Sequence, residues 1–181
     1  TVDKALTRKM RRRGGPDYSR PSREVVAERL QRFLADRLTH PFEIRDLSVL
    51  TGGASKEQFL FALDWVCDGE PRTGDRMVLR CDPSASIVET ARIREFELMR
   101  HAASLMPVPP VYWIDEDGDT MGTPSLVSGF VRGVQKPAKA AANVTGMGIQ
   151  FAKDYRDALG PQYARYMAAL HRDAPSPEAL P

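Results

Sequence analysis

The sequence predicts an α+β domain in which one helix packs on a five-stranded antiparallel sheet. Three strand-like segments follow one another with short loops between them, which favours antiparallel neighbours over the long crossovers of a parallel sheet. An amphipathic segment separates these strands from two further ones, which are joined across an Asp-Gly turn. The length of 181 residues suits one ordinary domain.

Composition and charge are those of a globular domain, with 42% hydrophobic and 28% charged residues. A net charge of +2 gives no general reason to expect binding to nucleic acid or to an anionic membrane. No apolar stretch approaches the length of a membrane span. Cys67 and Cys81 have no metal-ligand spacing and fall in or beside predicted strands, so we expect unpaired thiols in preference to a disulfide. A cytoplasmic location is the simplest interpretation.

Residues 1–21 form a polar segment with a basic cluster at 9–16. Such a cluster can contact phosphate backbones or acidic lipid. No aromatic residue is interleaved within it, so a flexible basic tail is the favoured interpretation and nucleic-acid binding is the alternative.

The first helix is predicted to begin after Ser22, whose hydroxyl can cap it. The dipeptide His40-Pro41 should end it, because the residue before a proline is biased away from helical conformation. Between them, apolar residues recur on one face at helical spacing, namely Val26, Leu30, Phe33, Leu34 and Leu38.

After residue 43 the spacing of apolar residues changes from helical to strand-like, which predicts the first three strands. Residues 44–50 and 59–66 are the first two, rich in β-branched, aromatic and leucine side chains. We expect a polar loop at 68–75 and a third strand at 77–81.

A second helix is predicted from a capping-box pattern at Ser86–Glu89 to about Leu105, where a proline-rich segment ends it. Two strands follow at 111–115 and 125–131, with a hairpin signal at Asp117-Gly118. A last helix is expected over Gln162–His171, with Pro161 in its first turn.

The segment Gly52-Gly53-Ala54-Ser55 lies between the first two strands. Small residues let a hairpin close over a polyanion, with backbone N–H groups and the Ser55 hydroxyl as phosphate donors. Glycine in a hairpin more often serves the turn alone, so both interpretations remain open here.

Arg80 and Glu95 are the candidate charged pair. Alternation places Val78 and Arg80 on one face of the third strand. Glu95 interrupts an apolar stripe of its helix formed by Ala91, Leu98 and Ala102, and a buried carboxylate needs a cation. Arg80 is the expected partner, which is the arrangement of protein kinases. The alternative is that Glu95 meets Arg92 or Arg94 at the surface.

Taken together, these segments resemble the aminoglycoside phosphotransferase family, and within it the branch related to domains fused to acyl-CoA dehydrogenases. The likeness covers about residues 43–133 and 162–173. Its matching segments are the nucleotide loop at 50–55, the basic strand at 77–80, the glutamate helix at 94–99, the entry to the fourth strand at 108–111, the fifth strand and hinge at 122–133, and the first helix of a second lobe at 166–171.

The resemblance implies a protein-kinase-like N-terminal lobe that binds ATP. It implies that Arg80, held by Glu95, contacts the ATP phosphates and that Val78 packs on the adenine. The other nucleotide-binding residues that it implies are Gly52, Gly53 and Ser55 over the phosphates, Ser128 at the back of the pocket, and the backbone of Gly129 and Val131 at the adenine edge.

The sequence departs from the family pattern in three places. Arginine stands at position 80 where many kinases have lysine, and the hinge is Ser-Gly-Phe where the family often has Met-Glu-Tyr. The catalytic loop and the metal-binding aspartate of the family are absent, so no catalytic residue and no metal ligand is predicted in this chain. We reject Asp173 of the His171-Arg172-Asp173 triplet as the base, because it ends the helix that precedes the true loop in the family.

The implied function is transfer of the γ-phosphate of ATP, with Mg²⁺, to a hydroxyl of a small molecule. The alternative is a catalytically inactive, pseudokinase-like nucleotide-binding module with an interaction role. In the phosphotransferase interpretation, residues 22–133 are the nucleotide-binding lobe, 134–160 a linker or insertion, and 161–181 the first helix of a truncated C-terminal lobe. The chain begins at Thr1 and ends in a proline-rich run, so we expect the rest of that lobe to lie beyond Pro181.

Overall fold

The computed structural model describes residues 19–50, 57–82, 91–132 and 153–174, together with residues 7, 10, 11 and 14. Within these ranges the principal elements are one helix, three strands, a second helix, two strands and a third helix. They are α1 (Arg23–Ala35), β1 (Glu43–Leu50), β2 (Glu57–Cys67), β3 (Glu70–Cys81), α2 (Arg92–Ala102), β4 (Val111–Asp115), β5 (Ser125–Gly129) and α3 (Lys153–Arg172).

The five strands form one sheet in the order β1-β2-β3-β5-β4, and every neighbouring pair is antiparallel. Helix α2 packs against β4 and β5. The predicted α+β class, with a five-stranded antiparallel sheet and a packed helix, is confirmed. None of the helices in the described part of the chain is long and apolar enough to cross a membrane.

Helix α1 belongs to the hydrophobic core on one face of the sheet. The Ser22 hydroxyl accepts a hydrogen bond from the Val25 N–H, as predicted for the cap. The helix ends at Ala35, earlier than His40, and the Arg37 N–H then bonds the Leu34 carbonyl with the tighter three-residue spacing of a turn. Its buried residues and their sheet partners in the core are Val26, Leu30, Phe33, Leu34, Phe59, Phe61, Leu63, Met77, Leu79 and Val127.

The predicted loop at 68–75 is wrong. Asp68 and Gly69 form a tight turn with φ of 53° and 82°, and β3 already begins at Glu70. Positive φ at both turn residues suits the twist of a two-residue hairpin, and Asp-Gly is a preferred sequence for it. Gly74, with φ of 68°, lies in the bulge that shifts the β2–β3 register after Leu63.

Helix α2 begins later than predicted. Its N-cap is Ala91, which is extended and makes no side-chain cap bond, while residues 86–89 lie outside the described part of the chain. The predicted apolar stripe is wrong at Leu98, which is 47% exposed. The inward face of the helix keeps Ala102 from the predicted stripe and adds Arg92 and Phe96, which are buried.

The β4–β5 connection is longer than a tight hairpin. The Asp115 carboxylate accepts hydrogen bonds from the N–H groups of Asp119, Thr120 and Met121, and this organises the loop at 116–124. Strand β5 ends at Gly129, two residues before the predicted end at Val131, although the Phe130 N–H still bonds the Arg76 carbonyl at 2.8 Å.

Helix α3 is longer than the predicted Gln162–His171, and Pro161 lies inside it. A proline in a helix interior removes one backbone hydrogen bond. The Gln162 side chain donates to the Ala158 carbonyl at 2.8 Å, which adds a hydrogen bond across the same turn.

Candidate functional site

The candidate site lies on the sheet face opposite the α1 core. Along β3, Met77, Leu79 and Cys81 are buried, whereas Val78 and Arg80 are half-buried and face the other way. Both cysteines are unpaired, as predicted.

Cross-strand pairing surrounds Val78 with small and apolar residues. Leu60 of β2 lies opposite it on one side and Ser128 of β5 on the other. Leu60 is 8% exposed and Ser128 is 4% exposed. The three side chains share one face of the sheet, which forms a shallow apolar floor with one hydroxyl.

Arg80 lies in register with the two ends of the glycine segment. It pairs with Gln58 near the start of β2, and Gln58 pairs with Leu50 at the end of β1. Gly52, Gly53 and Ser55 themselves lie outside the described residues. The register therefore places Leu50 and Gln58, which precede and follow that segment, in one cross-strand row with Arg80.

The predicted pair of Arg80 and Glu95 is present. Arg80 Nη1 lies 2.5 Å from Glu95 Oε1, and the two side chains are 28% and 16% exposed. A strand and a packed helix therefore bring one cation and one carboxylate together at the edge of the floor. The guanidinium retains donors that this contact does not use.

Glu95 has a second partner that the sequence interpretation set aside as a surface alternative. Arg92 Nη1 lies 2.5 Å from Glu95 Oε2, and the Arg92 side chain is 0% exposed. Arg92 Nη2 lies 4.0 Å from Asp82 Oδ2, just after β3. The predicted pair with Arg80 therefore stands, and the contact with Arg92 is buried and not at the surface, because the two carboxylate oxygens contact one guanidinium group each. The spacing of three residues between Arg92 and Glu95 was the available signal.

Burial is unfavourable for the charged side chains of this cluster. Burial lowers the pKa of the Arg92 guanidinium, while the carboxylates of Glu95 and Asp82 oppose that shift. Among the described residues, Nε of Arg80 and both Nε and Nη2 of Arg92 are buried without a hydrogen-bond partner. Buried donors of this kind usually have a partner, so these nitrogens are positions where a bound water or ligand atom would be accommodated.

The hinge residues follow Ser128. The Gly129 N–H donates to the Pro110 carbonyl at 2.8 Å and is therefore not free to meet a ligand. A Cβ at Gly129 would lie 2.9 Å from Pro110 Cγ, which explains glycine at this position. Val131, just beyond β5, is 44% exposed.

The described residues include no cluster of three or more His, Cys, Asp or Glu side chains that could hold a metal ion. Asp173 lies exposed just after α3, and its backbone carbonyl accepts a hydrogen bond from His101 Nε2 at 2.6 Å. This contact connects the ends of α2 and α3 and gives Asp173 a structural partner.

No family model matches the chain. The fold is similar to that of a protein from Ralstonia eutropha JMP134 assigned as an aminoglycoside phosphotransferase, with a TM-score of 0.49 and 23% identity over 80% of this chain and 37% of that one. It is also similar to the aminoglycoside phosphotransferase APH(4)-Ia, with a TM-score of 0.37 and 22% identity over 60% of this chain and 31% of that one. The chain thus spans about a third of the length of these solved structures, whose names are those of the family that the sequence resembles.

Proposed function

We propose that this chain is the ATP-binding lobe of a phosphotransferase that acts on a hydroxyl of a small molecule. The observation that carries the proposal is the contact between Arg80 and Glu95 at the edge of an apolar floor. A basic side chain on the third strand, held by a glutamate of the following helix, is the arrangement with which kinases bind nucleotide phosphates.

Arg80 is the proposed phosphate ligand. Its charge is fixed in place before the ligand arrives, and a preorganised cation gains more from an anionic ligand than a mobile one. Backbone N–H groups of Gly52 and Gly53 and the Ser55 hydroxyl would cover the same phosphates, since Leu50 and Gln58, which flank their segment, lie in one cross-strand row with Arg80.

The adenine is proposed to lie on the floor of Val78, Leu60 and Ser128. A flat aromatic base fits a half-buried apolar surface, and a few polar groups at its edge set its orientation. The Gly129 carbonyl and the Val131 N–H are the proposed partners of that edge. This orientation would direct the phosphates toward Arg80, one side-chain position further along β3.

ATP would supply the phosphoryl group, and Mg²⁺ would bridge its phosphates. This chain's own residues would bind and orient the nucleotide and offset its negative charge. The base and the metal ligands are proposed to come from a second lobe beyond Pro181, so the chain alone should bind ATP without transferring its phosphate. A small-molecule acceptor and a cytoplasmic location complete the proposal.

Isothermal titration of the chain with Mg-ATP tests the proposal, with Arg80→Ala as the decisive variant. We expect saturable binding that Arg80→Ala weakens about tenfold or more, as for loss of a charge-assisted hydrogen bond. Arg72→Ala is the matched control, because Arg72 also lies on β3 but pairs with Asp75 far from the floor. Equal affinities of both variants would refute the assignment of Arg80.

A further inference from the structure

We infer that Arg92 is a positioning residue of the nucleotide site, acting through Glu95 to keep Arg80 oriented toward the phosphates. This inference rests on the proposed function. Arg92 itself cannot be a ligand contact in this conformation, because its side chain is 0% exposed. Any effect on the nucleotide must therefore pass through its neighbours.

The geometry divides one carboxylate between two guanidinium groups. Glu95 Oε1 contacts Arg80 and Glu95 Oε2 contacts Arg92, each at 2.5 Å. Arg92 lies one turn before Glu95 on the same helix, so its contact fixes the rotamer of the glutamate. A glutamate fixed in this way presents a stationary oxygen to Arg80, and Arg80 then needs no reorganisation when a phosphate binds.

The charges of Arg80, Glu95 and Arg92 also support a positioning role for Arg92. A single pair of Arg80 and Glu95 would cancel the charge that has to attract phosphate. Arg92 offsets part of the negative charge of Glu95, so Arg80 retains more of its own positive potential. Asp82 lies 4.0 Å from Arg92 and connects the first turn of α2 to the end of β3. The buried arginine is thus held between two carboxylates, whereas Arg80 is left with donors for a ligand.

A buried ion pair is weak evidence for a purely stabilising role. Replacing buried ion pairs by apolar side chains is often neutral or stabilising, and here two nitrogens of Arg92 lack a hydrogen-bond partner among the described residues. A role for Arg92 in orienting Glu95 accounts for a fully buried arginine at this position.

The test compares ATP and adenosine binding by the full 181-residue chain and its Arg92→Met variant. Methionine keeps much of the volume and removes the charge and the donors. We expect Arg92→Met to weaken ATP binding about five- to tenfold and to leave adenosine binding within about twofold, since only the phosphates meet Arg80. Arg100→Met is the control, because Arg100 is exposed on the same helix and pairs with Glu97. It should change neither affinity.

A double-mutant cycle separates positioning from general packing. In an Arg80→Ala background, Arg92→Met should change ATP affinity by less than about twofold, because the group it positions is gone. Equal weakening of ATP and adenosine, or additive effects in the cycle, would overturn the inference. If Arg92→Met does not fold, the ATP and adenosine affinities of Arg92→Gln are judged by the same criteria. A wild-type chain that does not bind ATP refutes the proposed function, whereas normal ATP binding by Arg92→Met refutes this inference alone.

Discussion

The carboxylate of Glu95 joins Arg80 of the sheet to Arg92 of its own helix, with both contacts at 2.5 Å. Helix α2 is therefore attached to β3 through charge, while Phe96 and Ala102 add the apolar contact. The position of Arg80 and the docking of α2 are thus parts of one arrangement.

Glu95→Gln should destabilise the chain strongly. The amide preserves the shape but leaves Arg80 and the buried Arg92 without their shared counter-charge. We expect a loss of about 3 kcal/mol in the free energy of unfolding, as for breaking a buried ion pair from one side. Urea unfolding measures it. Glu97→Gln is the control, with an expected loss of less than about 1 kcal/mol, because its partner Arg100 is 61% exposed. A Glu95→Gln variant as stable as this control would show that the cluster does not hold α2.

Ser128 should set the depth of the adenine pocket. Serine is smaller than the methionine that the family often has at this position, so in the proposed binding mode it would leave more room for a group added to the adenine amino nitrogen. We expect N6-benzyl-ATP to bind the wild-type chain within about threefold of ATP, and Ser128→Met to weaken the analogue about tenfold by steric exclusion. Titration calorimetry measures both ligands. If the variant folds and binds the two ligands as the wild type does, Ser128 does not line the pocket.

Cys81 should make stability fall in mildly alkaline solution. Burial raises its pKa from 9.0 to about 11, with the hydroxyls of Ser125 and Thr123 opposing the shift. Between these two pH values the unfolded thiol has lost its proton and the folded one has not, so unfolding is favoured as pH rises. The slope should approach about 1.4 kcal/mol per pH unit.

Cys81→Ala should remove that component of the pH dependence. The measurement is urea unfolding of both proteins from about pH 8 to about pH 11, with the difference between them taken at each pH. Taking the difference in the free energy of unfolding cancels the contributions of groups that titrate alike in both proteins. Parallel curves would mean that the thiol is not desolvated in the folded state.

Gly118 should not tolerate a side chain. Its φ is 79°, and an added Cβ would lie 2.3 Å from the carbonyl carbon of Thr123. We expect Gly118→Ala to cost at least about 1–3 kcal/mol through backbone strain and displacement of the β4–β5 loop. Gly160→Ala is the control, because a Cβ there meets nothing within 4 Å and α3 is helical at that residue. Thermal unfolding should show a lower melting temperature only for Gly118→Ala.

Local periodicity was enough to predict the sheet. The strands around Phe59 and Val78, the cap at Ser22 and the face that carries Arg80 depend on short-range pattern, and the structure has them as predicted. The pair of Arg80 and Glu95 could also be predicted, because a carboxylate on an inward face needs a cation and the topology offered one.

The errors arose where tertiary contacts override local signals. Pro71 and Gly74 suggested a loop, yet pairing with β2 extends β3 through both of them. Arg92 resembled a surface residue because charged side chains are usually exposed. Its burial depends on Asp82 and on the docking of α2, and neither is encoded within one turn of helix.

A crystal structure of the chain with Mg²⁺ and a non-hydrolysable ATP analogue tests the central claim most directly. We predict the base on the floor of Val78 and Ser128, and a phosphate oxygen within about 3 Å of a guanidinium nitrogen of Arg80, the distance of a charge-assisted hydrogen bond. The Glu95 contact should persist in that complex. An analogue bound elsewhere, or phosphates that leave Arg80 in contact with Glu95 alone, would contradict the account.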